Sequence, residues 1–287
     1  MRKQAREFSE EALKAVLVPL GPYLDQLVVS GSWVPFIYRR WLLKQKPGAK
    51  GTVRTLDVDL AVRENLAVVG QPLAEQLRQA GYRITRWPQR SLWGDEGGDE
   101  PQVTHFELRN APYLELITPR KGRHRPGTVR EVQNGVGACE LDYVEILLED
   151  ARDVPIPETP LRVRVPTLAA YVYQKGLTFP MRQDRAKKEK DLANLFDVLQ
   201  NFPELHGELL GSMPALGRRH GKAAWSAFRA NLTTAFNSAE GEGVRLIETQ
   251  QPDPYRDLVQ GDPANGSARF RELVYARFKE FLEKVGV

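Results

Sequence analysis

A change of hydrophobic period near Pro166 constrains this chain more than any other feature of its sequence. Upstream, apolar residues fall in short runs or alternate with polar ones, the period of strands; downstream they recur at three- and four-residue steps, the period of helices. Pro155, Pro157, Pro160 and Pro166 punctuate the changeover, where neither a helix nor a ladder continues easily. The 287 residues suffice for one large domain or two modest ones, and 41% hydrophobic content supplies a sizeable core. The reading is an α+β chain: residues 1–165 form a mixed β-sheet with flanking helices, and residues 166–287 form a helical domain.

In the first half, residues 8–18 read as an amphipathic helix, broken at Gly21-Pro22. Leu27-Val28-Val29-Ser30-Gly31 reads as a short buried strand ending in Gly31-Ser32, followed by a helix over residues 34–44. Residues 53–62 read as one strand, with Val58, Leu60 and Val62 on one face and Asp57, Asp59 and Ala61 on the other. A helix over residues 72–80 and strands over 82–87, 103–109 and 113–118 complete most of the sheet, with further segments at 140–148 and 161–165. The acidic, glycine-rich stretch from Gly94 to Glu100 reads as a loop without a catalytic role. Helices follow over residues 167–177, 185–200, 203–219 and 222–236, and a last one carries the stripe Phe270, Leu273, Val274, Phe278, Phe281, Leu282 and Val285.

Composition excludes several classes. No run of about 18 apolar residues exists to span a bilayer, and the charged N-terminus is not a signal peptide, so a cytoplasmic protein with no membrane partner is expected. Cys139 is the sole cysteine, which rules out an intramolecular disulfide; with four scattered histidines, any metal is expected on oxygen ligands. The net charge is only +4, but the cations are clustered. Residues 26–56 hold Arg39, Arg40, Lys44, Lys46, Lys50 and Arg54 without one acid. Arg120, Lys121, Arg123, Arg125 and Arg130 repeat the pattern, as do Arg218, Arg219, Lys222 and Arg229. Polyphosphate or nucleic acid is the natural partner of such stretches.

Two aspartates at i and i+2 on a strand share a face roughly 7 Å apart, from a rise of about 3.3 Å per residue, and so can converge on hard cations. Asp57 and Asp59 have that spacing. A third carboxylate is expected from a neighbouring strand: Glu115, flanked by apolar residues in Tyr113-Leu114-Glu115-Leu116-Ile117, with Glu107 as its competitor. Gly31-Ser32, between a strand and a helix, is placed to face a phosphate with its amides and hydroxyl. A lone Asp-x-Asp carries no function, since most are solvated strand pairs or turns; the ordered set is far more specific.

Strand-Gly31-Ser32-helix, then Arg54-Thr55-Leu56-Asp57-Val58-Asp59, then Leu114-Glu115-Leu116, resembles the core of the DNA polymerase β nucleotidyltransferase superfamily. More narrowly, the chain is similar to the AbiEii-type nucleotidyltransferases of abortive-infection and type IV toxin–antitoxin systems. Those carry a helix with a lysine and then a Lys-Asp-x-x-Asp element, matched here by Lys175 and by Lys190-Asp191-Leu192-Ala193-Asn194. The resemblance implies an enzyme (a transferase of the EC 2.7.7 type) that moves a nucleoside monophosphate from a nucleoside triphosphate to a hydroxyl. Asp57, Asp59 and Glu115 would hold Mg²⁺ or Mn²⁺, with Glu115 also a candidate base. Gly31, Ser32, Thr55 and Lys175 would bind nucleotide, and Asp191 would complete the site from the helical half. A tRNA 3′ end or other RNA is the implied acceptor, and an antitoxin the implied protein partner. Two other readings stand beside it: a small-molecule or protein acceptor, and a non-catalytic nucleic-acid- or antitoxin-binding module of the same fold. Two departures mark this chain. The interval from Ser32 to Asp57 is longer than in compact members, and Asn194 stands where a second aspartate usually falls.

Overall fold

A computed structural model describes residues 6–45, 52–88, 102–122, 128–250, 261–262 and 265–286. The loop with Lys46 and Lys50, the acidic stretch 94–100, and Arg123 and Arg125 lie outside the described residues. The chain divides into two compact units, Met1–Pro166 and Thr167–Val287.

The first unit is built on a nine-stranded mixed sheet. Its strands are β2 (Leu27–Val29), β4 (Asp57–Val62), β5 (Arg83–Pro88), β6 (Gln102–Glu107), β7 (Tyr113–Pro119), β8 (Val129–Gln133), β9 (Val136–Leu141), β10 (Ala151–Pro155) and β11 (Arg162–Pro166). They run in the order β10-β11-β2-β4-β7-β6-β5, with β9 also on β7 and β8 on β9. β4 and β7 are parallel at its centre. β7 is paired along its other edge first with β6 and then with β9. Val58, Leu60, Ala61 and Val62 are buried, while Asp57 and Asp59 are half-exposed. A slip of one residue would bury both carboxylates, so the apolar face fixes the register. Val28, Ala61, Val103, Ile117, Cys139, Val144 and Leu148 form one core cluster, the last two supplied by helix α4 (Val144–Glu149).

Residues 53–62 are not one strand. β3 (Thr52–Thr55) pairs with β1 (Arg6–Ser9) in a separate two-stranded sheet, and the chain bends at Leu56 before entering β4. Thr55 secures the bend, its hydroxyl donating to Asp57 Oδ1 at 2.8 Å. Helix α1 is shorter than the periodicity predicts, Glu10–Leu17, because Ser9 caps it and accepts from the Ala12 amide. Helix α2 (Trp33–Ile37) widens into a π-turn over Tyr38–Leu42. α3 (Leu73–Gln79) lies within the expected range.

Among its described residues the second unit holds the helices α5 (Leu168–Thr178), α6 (Arg185–Asn201), α7 (His206–Arg219), α8 (Lys222–Ala235), α9 (Glu242–Gln250) and α10 (Gly266–Lys284) and no strand. α5 is buried along its whole length. A Cβ at Gly176 would lie 2.4 Å from the Phe228 ring, so α8 approaches α5 only because that position has no side chain. Phe196 of α6 meets Phe270 of α10 edge to face, and Phe236 stacks on Phe278.

Candidate active site

β4 carries Asp57 and Asp59 on one face, and parallel pairing with β7 places Tyr113 opposite Asp57 and Glu115 opposite Asp59. β6 extends the row, with His105 opposite Glu115. Three carboxylates therefore occupy neighbouring positions on strands roughly 4.8 Å apart, where like charges repel unless a cation or donors offset them.

The donors are specific. Asp57 accepts from the Thr55 hydroxyl at 2.8 Å on Oδ1 and from the Tyr113 hydroxyl at 3.4 Å on Oδ2. Its main-chain carbonyl accepts from Trp33 Nε1 at 2.9 Å, which ties the start of α2 to β4. Burial, reinforced by the charges of Asp57, Glu115 and Asp59, pushes the Tyr113 phenol far above its ordinary range, so it remains a donor. Glu115 Oε2 lies 3.0 Å from His105 Nε2, and the His105 ring stacks on Tyr113 with centroids 4.5 Å apart.

Gly31 closes the site from the side of β2. Its φ is +69°, and a Cβ there would stand 2.9 Å from Asp59 Oδ2. The Ser30 amide donates to the Asp59 carbonyl at 2.8 Å, so the turn is held against β4. Only glycine combines that backbone conformation with so close an approach. Ser32, half-buried, is the residue before α2. Thr55 is buried, with its hydroxyl directed at Asp57. Glu107 lies beyond Glu115 from the aspartates: it sits opposite Arg83 of β5, is ion-paired to it, and is bonded to Thr85 at 3.4 Å.

Lys175 and Asp191 belong to the helical unit. Both are buried, and the Lys175 ammonium is in direct contact with Asp191 Oδ1. Arg182 Nε donates to Asp191 Oδ2 at 2.9 Å. Burial pushes the Asp191 carboxyl upward, but Lys175 and Arg182 overcome it and hold the group below the usual range. Asp191 thus bonds outside its own helix, while Lys188 pairs with Glu242. Asn194 is three residues on along α6.

The basic runs have separate fates. Arg120, Lys121 and Arg130 are ion-paired to Asp142, Glu64 and Glu140. Arg218 and Arg219 at the end of α7 and Lys222 at the start of α8 are exposed.

Among the described residues no group of three His, Cys, Asp or Glu side chains is gathered closely enough to hold a metal ion. Magnesium does not require such a cage, because it usually keeps several waters and takes one or two carboxylates together with substrate phosphates. Asp57 and Asp59 beside the Gly31 turn fit that pattern.

A sheet that presents neighbouring carboxylates beside a glycine turn, in an α+β unit, belongs to the class of folds that can carry phosphoryl-transfer chemistry. Residues 11–212 match the family described as "Nucleotidyltransferase", and the chain belongs to that family. No curated protein matches it. Among solved structures it is similar to "an antigenic nucleotidyltransferase-like protein from Paracoccidioides brasiliensis", at 17% identity over 78% of this chain and 95% of that one, with a TM-score of 0.37. No helix among the described residues is long and apolar enough to cross a membrane.

His105 escaped the sequence reading, because its place beside Glu115 depends on the β6–β7 register. Tyr113 was within reach: it lies two residues before Glu115 and so shares its face.

Proposed function

We propose that this chain is an active, magnesium-dependent nucleotidyltransferase that moves a nucleoside monophosphate from a nucleoside triphosphate to a hydroxyl of RNA. One observation carries the reading: Asp57 and Asp59 share a face with Glu115 in register beside them, and the Gly31 turn closes onto Asp59. Asp57 and Asp59 are the residues that would hold the metal, with Glu115 the third carboxylate in preference to Glu107. Magnesium, when bound, supplies positive charge to the α-phosphate and the leaving pyrophosphate.

The chain's own residues do the rest. Thr55 and Tyr113 fix the two oxygens of Asp57. The amides and hydroxyl at Gly31-Ser32 bind phosphate oxygens. Glu115 accepts the proton of the acceptor hydroxyl as its oxygen attacks the α-phosphorus; the bond from that phosphorus to the bridging oxygen breaks and pyrophosphate departs. The family pattern assigns Lys175 a contact to the triphosphate, and we carry that role over on the resemblance alone.

RNA is the acceptor we favour, with the tRNA 3′ end first, because exposed Arg218, Arg219 and Lys222 suit a phosphate backbone while Arg120, Lys121 and Arg130 are engaged in ion pairs. Membership of the AbiEii-type toxin group follows as a proposal: expression would arrest growth, and an antitoxin would relieve it. The test of the acceptor uses total tRNA, intact or with its 3′ hydroxyls destroyed by periodate, with magnesium and labelled nucleoside triphosphates. Label on intact tRNA alone supports the proposal. Label on protein or a small molecule in its place rejects RNA as the acceptor.

A further inference from the structure

The contact between His105 and Glu115 has no place in the chemistry set out above. A carboxylate only accepts hydrogen bonds, so the ring nitrogen that faces it at 3.0 Å, Nε2, carries the proton. The imidazole is not free to follow a moving partner. It lies against Tyr113 with an interplanar angle of 18°, and Tyr113 is itself bonded through its hydroxyl to Asp57. The ring is thus clamped at one face and aimed at one oxygen. Both groups are largely covered, with side-chain exposures of 15% for His105 and 19% for Glu115, so water competes weakly for the bond.

Glu115 needs such a clamp. It stands directly across from Asp59 and beside Asp57, and repulsion between neighbouring carboxylates favours rotamers that swing them apart. A glutamate has three side-chain torsions with which to do so. An ordinary cross-strand ion pair would hold it little, but a donor fixed by packing resists the motion, as outer-shell partners do for metal-ligating side chains.

We propose that His105 is a positioning residue: seated on Tyr113, its Nε2–H holds the Glu115 carboxylate in one orientation beside Asp59, so that the third carboxylate is in place before metal and nucleotide arrive. The role requires no change of protonation, and it rests on the reading of Asp57, Asp59 and Glu115 as the metal and base residues.

The test uses the full-length protein and three variants, His105→Ala, His105→Gln and Asp57→Ala. Glutamine places an amide N–H close to where Nε2 stood. Mn²⁺ affinity is measured by electron paramagnetic resonance without nucleotide, and transfer is followed to separate kcat from KM for the nucleotide. Loss of an outer-shell donor typically costs 10–100-fold, so His105→Ala is expected to weaken Mn²⁺ binding or lower kcat by about 10-fold or more, with KM changed far less. His105→Gln is expected to recover most of that loss. A fall in kcat with Mn²⁺ affinity intact also supports the bracket, with Glu115 acting on the acceptor hydroxyl. Unchanged Mn²⁺ affinity and kcat in His105→Ala overturn it, as does equal damage in His105→Ala and His105→Gln, which would trace the effect to ring packing. If Asp57→Ala itself binds Mn²⁺ and transfers nucleotide like the parent, the metal-site reading falls and His105 falls with it.

Discussion

Gly31→Ala isolates the contribution of the glycine turn to the site. Two costs can be worked from the geometry. Alanine at φ +69° must hold a left-handed conformation, worth about 1–2 kcal/mol for a residue with a Cβ. The new methyl would also begin 2.9 Å from Asp59 Oδ2. Relief of that contact is cheap in stability, because the obstacle is the tip of a side chain rather than backbone, but it is expensive in function, because the end that must turn away is the oxygen we propose as a metal ligand. At roughly 2–4 °C per kcal/mol for a unit of this size, the variant should melt about 2–8 °C lower and remain folded at 25 °C. Placement errors of about 0.5–1 Å cost reactive sites one to two orders of magnitude, so transfer and Mn²⁺ affinity should fall at least about 10-fold in the folded protein. Thermal melting followed by circular dichroism, with both assays at 25 °C, measures the two effects separately. Retention of parental activity and Mn²⁺ affinity at 25 °C would refute the reasoning, as would activity lost only in proportion to unfolding.

Other outcomes follow from the helical unit and the surface. Asp191→Asn leaves Lys175 buried without its counter-charge and should destabilise the protein by about 3–5 kcal/mol in urea unfolding; an unchanged midpoint would contradict the ion pair as described. Because the folded Asp191 carboxyl titrates below its ordinary range, its contribution is complete above that range and is lost as pH falls through the lowered folded value. The stability difference between parent and Asp191→Asn should therefore shrink toward pH 2–3, read from urea midpoints across pH. Arg218→Glu with Arg219→Glu should weaken tRNA binding and flatten its salt dependence while leaving Mn²⁺ affinity unchanged; filter binding at two salt concentrations checks this.

The alternation Asp57-Val58-Asp59-Leu60 made β4 and its acidic face legible, because a half-buried strand writes its period of two into the sequence. The helices of the second half were equally plain, from α5 through α8 to the stripe of α10. Several elements went unread. The β8–β9 hairpin turns on Asn134-Gly135, a strong hairpin signal in which Gly135 adopts φ +74°, but its flanking strand Val129–Gln133 is too polar to announce itself. β10 hides among the prolines that mark the domain boundary, and α9 is short. The break at Leu56 was invisible for another reason: β3 and β4 have continuous strand character, and only the pairing of β3 with β1 separates them. In the candidate site, single residues were readable from strand period, but the Tyr113–His105–Glu115 bracket depends on long-range register, which local pattern does not encode. The same holds for the pairing of Lys175 with Asp191, sixteen residues apart and on separate helices.

The most direct measurement of the central claim is nucleotide transfer itself. The purified chain is incubated with magnesium, each labelled nucleoside triphosphate in turn and total cellular RNA, beside Asp57→Ala and a reaction in which EDTA replaces the metal. Label is expected in RNA for the parent and in neither control. Label transfer by Asp57→Ala at the parental rate, or undiminished transfer in EDTA, would contradict a metal-dependent transferase centred on Asp57 and Asp59.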